Sequence, residues 1–241
     1  MDRLSNAFSL LALADEDGQT PAPATPSSPA TTASSSSSSL PGNQGAKVNG
    51  PLELGEFKQP LVWIDLEMTG LNIEADRILE IACIVTDGKL TKSVEGPDLV
   101  IHQTKCCLDR MGEWCQTHHG ASGLTEEVLQ STISEMEAEK QVIEFVKKHV
   151  GGSETPLLAG NSVYVDFQFL KKYMPDLAAL FPHVLVDVSS VKALCKRWYP
   201  QDRRMKPAKE NKHRAMDDIR GSIKELKFYK ENIFKASKSR R

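Results

Sequence analysis

The sequence predicts an α/β protein in which a mixed β-sheet is flanked by α-helices. Three strand-like segments come first and are joined by short turns, which favours an antiparallel meander. Strand and helix patterns then alternate, which is typical of strands that pair in parallel. The chain has 241 residues, of which 40% are hydrophobic, enough for one domain with a sizeable core or two small ones.

Residues 1–59 differ in composition from the rest and are predicted to form a disordered, low-complexity arm. Residues 20–45 are dominated by Pro, Ala, Thr and Ser and include an unbroken serine run. Such a segment buries too little apolar surface to offset its ordering entropy. Residues 1–13 are more apolar, but a transit peptide is rich in Arg and poor in acids, whereas Arg3 stands alone beside Asp2. We favour a plain disordered tail, with a cleaved transit peptide as the alternative.

The first predicted strand carries two acids. The segment 61–71, Leu-Val-Trp-Ile-Asp-Leu-Glu-Met-Thr-Gly-Leu, begins as an apolar run typical of a buried strand. Residues i and i+2 of a strand share a face, so Asp65 and Glu67 point the same way. Two carboxylates on one side of a core strand repel each other and lose hydration. A divalent metal between them is therefore predicted, and Thr69-Gly70 is predicted to end the strand.

The later elements are predicted from apolar patterns and boundary residues. In chain order they are strands at 77–86 and around 99–102, helices at 107–118 and 125–131, a helix opened by the capping box Ser134-x-x-Glu137, a strand at 157–160, a helix capped by Ser162 and ended by Pro175, a strand at 184–188, and a helix capped by Ser189. A polar, basic loop at 200–212 precedes a final helix with one apolar face.

Two later positions also place acids within the apolar framework. Asp166 follows strand 157–160, and Asp217 and Asp218 follow His213 at the start of the last helix. Each has a simpler interpretation, as an acid favoured by a helix dipole or as surface charge. Oxygen ligands without clustered His or Cys favour Mg²⁺ or Mn²⁺ over Zn²⁺. Four carboxylates and one histidine suit a two-metal phosphodiester hydrolase in which the histidine takes the proton of water.

Three segments carry a family resemblance. Residues 65–71, 160–166 and 213–219 resemble the three motifs of the DEDD 3′→5′ exonucleases, with the His-x-x-x-x-Asp spacing of the histidine subclass. Residues 114–124, 172–175, 187–192 and 197–200 further resemble the oligoribonuclease family. The resemblance spans residues 60–234 and leaves 235–241 as a basic tail. It implies an RNase H-like fold, an exonuclease domain, a homodimer and hydrolysis of very short RNAs, dinucleotides in particular, from the 3′ end to 5′-mononucleotides.

The resemblance also assigns site residues. It implies that two divalent cations, Mg²⁺ or Mn²⁺, are held by Asp65, Glu67, Asp166 and Asp218, with His213 as the general base. Helical i, i+4 spacing from His213 favours Asp217, whereas the family spacing selects Asp218, which we follow. The substrate contacts that it implies are Leu71 as a wedge between bases, Trp114 stacked on a base, and Ser162 and His119 on the phosphate at the 5′ end.

The sequence departs from the family before the last predicted strand. The family has His-Tyr-Arg there, donated to the substrate by the neighbouring protomer, whereas this chain has Pro182-His183-Val184. His183 retains a ring that can stack on a base, but Val184 offers no charge to a phosphate. The basic loop at 200–212 either compensates or is simply a solvated charged loop.

Net charge and cysteine content bear on how the protein binds RNA and on its cellular compartment. The net charge of −2 gives no bulk attraction to nucleic acid, so RNA needs a local basic patch. The five cysteines are odd in number and show no C-x-x-C spacing, which favours a reducing compartment. We expect a cytoplasmic location, with mitochondria as the alternative. No apolar stretch approaches the roughly 20 residues that span a bilayer, so no membrane association is expected.

Two other functions compete with that of an oligoribonuclease. One is a DEDD exonuclease that trims longer RNA or acts on DNA. The other is a non-catalytic RNA-binding module on the same fold, against which the intact set of four acids and one histidine argues.

Overall fold

The computed structural model describes residues 57–151, 154–199 and 214–234, which form a five-stranded sheet covered by helices. The strands are β1 (Leu61–Met68), β2 (Ile78–Thr86), β3 (Ser93–Val100), β4 (Leu157–Gly160) and β5 (Leu185–Asp187). The helices within these ranges are α1 (Lys105–Leu108), α2 (Glu113–Ala121), α3 (Leu124–Gln130), α4 (Glu135–Val150), α5 (Tyr164–Tyr173), α6 (Pro175–Ala178), α7 (Val188–Trp198) and α8 (Ala215–Asn232). The predictions for residues 1–56, for the basic loop with His213, and for the tail at 235–241 lie outside the described residues.

The sheet has the strand order β3-β2-β1-β4-β5. β1 pairs antiparallel with β2, and β2 pairs antiparallel with β3, which is the meander that the sequence predicts. β1 and β4 pair in parallel, as do β4 and β5. The prediction of a mixed sheet is therefore confirmed, and β1 lies at its centre.

Two apolar clusters cover the two faces of the central strand. Val62, Ile64 and Leu66 of β1 belong to the cluster that includes residues of α4, α5 and α6. Leu61 and Trp63 point the other way, into the cluster built with α7 and α8. Because side chains alternate along a strand, Asp65 and Glu67 share the α8 face. Every residue of β2 is buried, so the neighbouring strand gives β1 a rigid base.

Several boundary predictions are confirmed. Ser134 caps α4, since its side chain accepts the N–H of Glu137 at 3.2 Å. Asp166 lies in the first turn of α5. Cys83 and Cys195 are buried, and all five cysteines of the chain are free thiols. None of the helices in the described ranges is long and apolar enough to cross a membrane.

Other boundaries differ from the prediction. β3 begins at Ser93, six residues before the predicted start, because an edge strand with Gly96-Pro97 in its middle lacks a clear apolar alternation. The helix predicted over 107–118 is divided into α1 and α2, with Gly112 as the N-cap of α2.

The predicted N-caps Ser162 and Ser189 are both wrong. The N-cap of α5 is Val163, and Ser162 adopts a left-handed backbone with φ of 54°. The N-cap of α7 is Asp187, whose carboxylate accepts the N–H of Ser189 at 2.8 Å. An aspartate and a serine two residues apart are both good caps, so sequence spacing did not separate them.

Candidate active site

Three acids meet on the α8 face of the sheet. Asp65 and Glu67 come from β1, and Asp218 comes from the first turn of α8. Their ligand oxygens lie within 4.8 Å of one another, and all three side chains are partly buried. Carboxylate oxygens at this separation are the donor set of a hard divalent cation. The acid cluster of Asp65, Glu67 and Asp218 therefore fits such an ion by both chemistry and spacing.

Asp166 adjoins this cluster from α5. Its Oδ1 accepts the backbone N–H of Leu66 at 3.0 Å, between the two acids of β1. The side chain is buried, at 6% exposure, which raises its pKa through desolvation while the Leu66 bond lowers it. The bond occupies one of two carboxylate oxygens and fixes Asp166 to the same strand. All four acids predicted from sequence are thus brought to one end of β1.

Burial and like charge hold a proton on Glu67. Desolvation raises the pKa of Glu67 from 4.5 to about 8, with further increases from Asp218, Glu80 and Asp166 and an opposing effect of Arg214. Glu67 lies directly opposite Glu80 in the β1–β2 ladder. In the metal-free protein the cluster therefore carries less negative charge at neutral pH than its composition suggests. A cation bound by these carboxylates would favour the ionised form of Glu67 and so compete with this proton.

Asp217 and Asp218 separate at the start of α8. Asp218 joins the acid cluster, whereas Asp217 Oδ1 accepts a hydrogen bond from Arg220 at 2.9 Å. Arg220 also binds Glu95 on the edge strand β3. The geometry supports Asp218, which the family spacing selects, over the i, i+4 argument that favours Asp217. Residue His213, on which that argument depends, lies outside the described residues.

Leu71 is presented by a braced loop after β1. Asp76 accepts hydrogen bonds from Thr69 Oγ1 and from the N–H of Asn72, both at 2.8 Å. Gly70 lies so close to this carboxylate that an added Cβ would be 2.4 Å from Asp76 Oδ2. The close packing fixes the loop conformation, and Leu71 remains half-exposed beside it.

Trp114 and His119 lie on α2, which approaches the same end of β1. Trp114 is half-exposed and stacks on His118 with ring centroids 3.9 Å apart. His119 is buried, and its Nε2 lies 3.0 Å from the carbonyl oxygen of Met68, so Nε2 is the donor. Its Nδ1 is 3.8 Å from Glu67 Oε2. His119 therefore contacts the acid cluster directly, a position that the sequence did not indicate.

Ser162 is held in a hydrogen-bonded network with the start of α7. Its N–H donates to Asp187 Oδ1 at 3.0 Å, and its hydroxyl is 2.8 Å from that of Ser189. Ser189 in turn donates to Asn161 Oδ1 at 2.6 Å. Sequence reasoning missed Asp187 as the organiser of this network, although an Asp two residues before a serine at a strand end is itself a capping signal.

The exonuclease family model, of RNase T type, matches residues 62–226 of this chain. The zinc-bound single-stranded DNA complex of Escherichia coli exonuclease I superposes with a TM-score of 0.56 at 14% identity, over 74% of this chain and 42% of that one. The exonuclease I of Methylocaldum szegediense gives 0.56 at 17% identity, over 73% of this chain and 41% of that one. This chain thus spans less than half the length of these neighbours, and the likeness confirms the RNase H-like fold alone.

The fold, the acid cluster and the family match define an exonuclease of the DEDD class. An oligoribonuclease of Arabidopsis thaliana is 71% identical over 98% of this chain and 99% of its own length. The mitochondrial oligoribonuclease of Homo sapiens is 48% identical over 80% of this chain and 82% of its own length. An oligoribonuclease of Marinobacter nauticus is 51% identical over 73% of this chain and 96% of its own length. The chain belongs to the oligoribonuclease family.

Proposed function

We propose that this protein is a 3′→5′ exoribonuclease that hydrolyses short oligoribonucleotides, dinucleotides in particular, to 5′-mononucleotides. The observation that carries the proposal is the convergence of Asp65, Glu67 and Asp218 within 4.8 Å, on a chain related over nearly its full length to an oligoribonuclease. A non-catalytic binding module has no need to concentrate these partly buried carboxylates, whose mutual repulsion is costly.

The acids are proposed to hold two divalent cations, Mg²⁺ or Mn²⁺, with Asp166 as the fourth ligand. When bound, such ions lower the pKa of the attacking water and stabilise the leaving oxygen. The chain itself supplies the geometry, because β1 fixes two of the carboxylates and α8 brings Asp218 to them. We assign His213 as the general base, since a histidine titrates near neutral pH and can accept the proton of the water.

Four residues are proposed to bind the substrate around this centre. Leu71, half-exposed in its braced loop, is the wedge between bases, and the half-exposed Trp114 stacks on one of them. Ser162, held by Asp187, and His119 are assigned to the phosphate at the 5′ end. His119 also lies beside Glu67. Its assignment to the phosphate therefore requires that the same imidazole ring contact both Glu67 and the substrate phosphate.

We further propose that the protein is a homodimer. Val184, Leu194, Trp198 and Tyr199 are large apolar side chains exposed between 42% and 63% in the described residues. Exposed apolar side chains on one helix and its flanks support a contact surface. Sedimentation analysis of the full chain tests this: a single species of twice the chain mass supports it, and a monomer at micromolar concentration contradicts it.

A cytoplasmic location stays our proposal, with mitochondria as the alternative. The five free thiols support a reducing compartment. Relatives from Homo sapiens and Mus musculus are named mitochondrial. Fusing residues 1–59 to a fluorescent protein separates the two: diffuse fluorescence supports the cytoplasm, and mitochondrial fluorescence supports the alternative.

The proposed reaction is tested by polarity and metal dependence together. A 5′-labelled RNA pentamer incubated with the full chain and Mn²⁺ should yield a ladder of labelled products that ends at the labelled mononucleotide. Excess EDTA should stop the reaction, and added Mn²⁺ should restore it. Immediate release of the labelled mononucleotide would indicate the opposite polarity, and turnover in excess EDTA would contradict the metal mechanism.

A further inference from the structure

The side chain of Arg214, the N-cap residue of α8, joins three elements. Its Nε and Nη2 donate to Oε1 of Glu80 on β2, at 3.0 and 2.7 Å. Its Nη1 and Nη2 also donate to Oε1 and Oε2 of Glu127 on α3, at 3.1 and 2.8 Å. One guanidinium therefore holds the start of α8 against both the sheet and a neighbouring helix.

Glu80 is the fixed end of this arrangement. Its side chain is fully buried, and its second oxygen accepts the N–H of Ala215 at 3.0 Å. Both carboxylate oxygens thus bind the first residues of α8. The Arg214–Glu80 pair is partly buried and charge-assisted, and its carboxylate also satisfies a backbone donor. Such a pair has a much better defined geometry than an exposed ion pair.

The position of this helix start determines where Asp218 lies. The N–H of Asp218 donates to the carbonyl oxygen of Arg214 at 3.0 Å, so Asp218 is one turn beyond the anchored residue. Glu80 faces Glu67 across the β1–β2 ladder. The anchor and the acid cluster therefore share the same two strands, and His213 immediately precedes the anchor in sequence.

We propose that Arg214 is a positioning residue for the acid cluster: held by Glu80 and Glu127, it fixes the first turn of α8 so that Asp218 meets Asp65 and Glu67. The inference rests on the proposed function, because it assigns a role within the same site. It also accounts for the full burial of Glu80, whose carboxylate is not among the three acids of the cluster.

The test compares Arg214→Met with Arg220→Met. Arg220 lies further along the same helix, and its exposed side chain forms a comparable double hydrogen bond with Glu95 of β3 and one bond to Asp217. Mn²⁺ binding to metal-depleted full-length protein is measured without substrate by electron paramagnetic resonance, and dinucleotide hydrolysis is measured separately. We expect Arg214→Met to weaken Mn²⁺ binding and lower kcat by about 10- to 100-fold each, the range for residues that orient metal ligands. KM should change less than about threefold, because the substrate contacts are retained.

Arg220→Met should leave both quantities within about twofold of the wild type, because an exposed pair contributes little. Wild-type Mn²⁺ affinity and kcat in Arg214→Met would overturn the inference. Equal losses in the two variants would also overturn it, since any weakening of α8 would then suffice. Arg214→Lys, which keeps the charge but loses the fork, should recover only part of the loss.

A double variant distinguishes the loss of positioning by Arg214 from the effect of leaving the buried Glu80 carboxylate without its cationic partner. Glu80→Gln combined with Arg214→Met removes the charge while retaining an oxygen for the Ala215 N–H. We expect it to regain thermal stability but to bind Mn²⁺ as weakly as Arg214→Met alone. Recovery of wild-type Mn²⁺ affinity would overturn the inference. A wild-type protein that binds Mn²⁺ but hydrolyses no RNA would instead contradict the proposed function and leave the Mn²⁺ comparison of the variants intact.

Discussion

Glu67 and Glu80 face each other across two hydrogen-bonded strands, and the protein treats these two carboxylates differently. Glu80 is bound by Arg214 and by a backbone N–H. Glu67 points into the acid cluster, where its pKa rises to about 8. Glu80 is thus paired with a cationic side chain, whereas Glu67 lies among the acids that are proposed to bind a metal ion.

The first prediction concerns the pH dependence of the metal-free protein. The pKa of Glu67 rises from 4.5, the ordinary value of a glutamate, to about 8 in the fold, chiefly because the side chain is buried, so the folded state binds more protons between these values. The free energy of unfolding should therefore fall as pH rises from about 4.5 to about 8. Thermal melts in EDTA across this range should show Tm declining. Glu67→Gln should flatten the decline, whereas Glu74→Gln, at an exposed position, should preserve it; a slope unchanged in Glu67→Gln contradicts the assignment.

A second prediction distinguishes the two adjacent acids of α8. Asp218→Asn removes a member of the acid cluster and should lower kcat by at least about 100-fold, with much weaker Mn²⁺ binding. Asp217→Asn removes the charge that binds Arg220 on the surface and should stay within about threefold of the wild type. The pair is matched in chemistry and differs by one position. The reverse pattern would show that Asp217 is the ligand.

The third prediction concerns the loop that presents Leu71. Gly70→Ala places a methyl group against the Asp76 carboxylate and should disrupt its bonds to Thr69 and Asn72. We expect kcat/KM for a dinucleotide to fall about 10-fold, equivalent to roughly 1.4 kcal/mol, mainly through KM. Gly120→Ala is the control, since nothing lies within 4 Å of its added Cβ. Equal KM values in the two variants would show that the loop does not contribute to substrate binding.

A fourth prediction concerns base stacking. Trp114→Ala should weaken dinucleotide binding by about 1–3 kcal/mol, which is the range for base–aromatic stacking. Trp114→Phe should retain most of the affinity, because a phenyl ring still offers a stacking face. Binding of a non-hydrolysable dinucleotide can be followed by calorimetry. Loss of affinity in both variants alike would indicate that the indole acts through packing on His118 instead.

Local pattern was sufficient for most of the fold and for part of the site. The period-2 alternation of β1 placed Asp65 and Glu67 on one face, and β1 indeed directs both toward α8. The choice between Asp217 and Asp218 needed the family spacing, because ideal helical geometry from His213 favours the other residue. The periodicity of the sequence therefore predicted the acid cluster but did not identify Asp218 as its third member.

Contacts between distant residues were beyond sequence reasoning. Arg214 and Glu80 are separated by 134 positions, and each alone resembles an ordinary surface charge. The family resemblance assigns His119 to the phosphate, and nothing in its sequence neighbourhood places it against Glu67. Both arise from how α2 and α8 pack on the sheet, which a pattern along one segment does not encode.

The most direct test of the proposed function is a length series of RNA hydrolysis. We would measure kcat/KM for 5′-phosphorylated RNAs of two to seven nucleotides, and for a DNA dinucleotide, each with Mn²⁺ and with excess EDTA. The proposed function predicts the highest value for the RNA dinucleotide, a steep decline with length and no turnover in EDTA. Equal or rising values for longer RNA, or a preference for DNA, would contradict it.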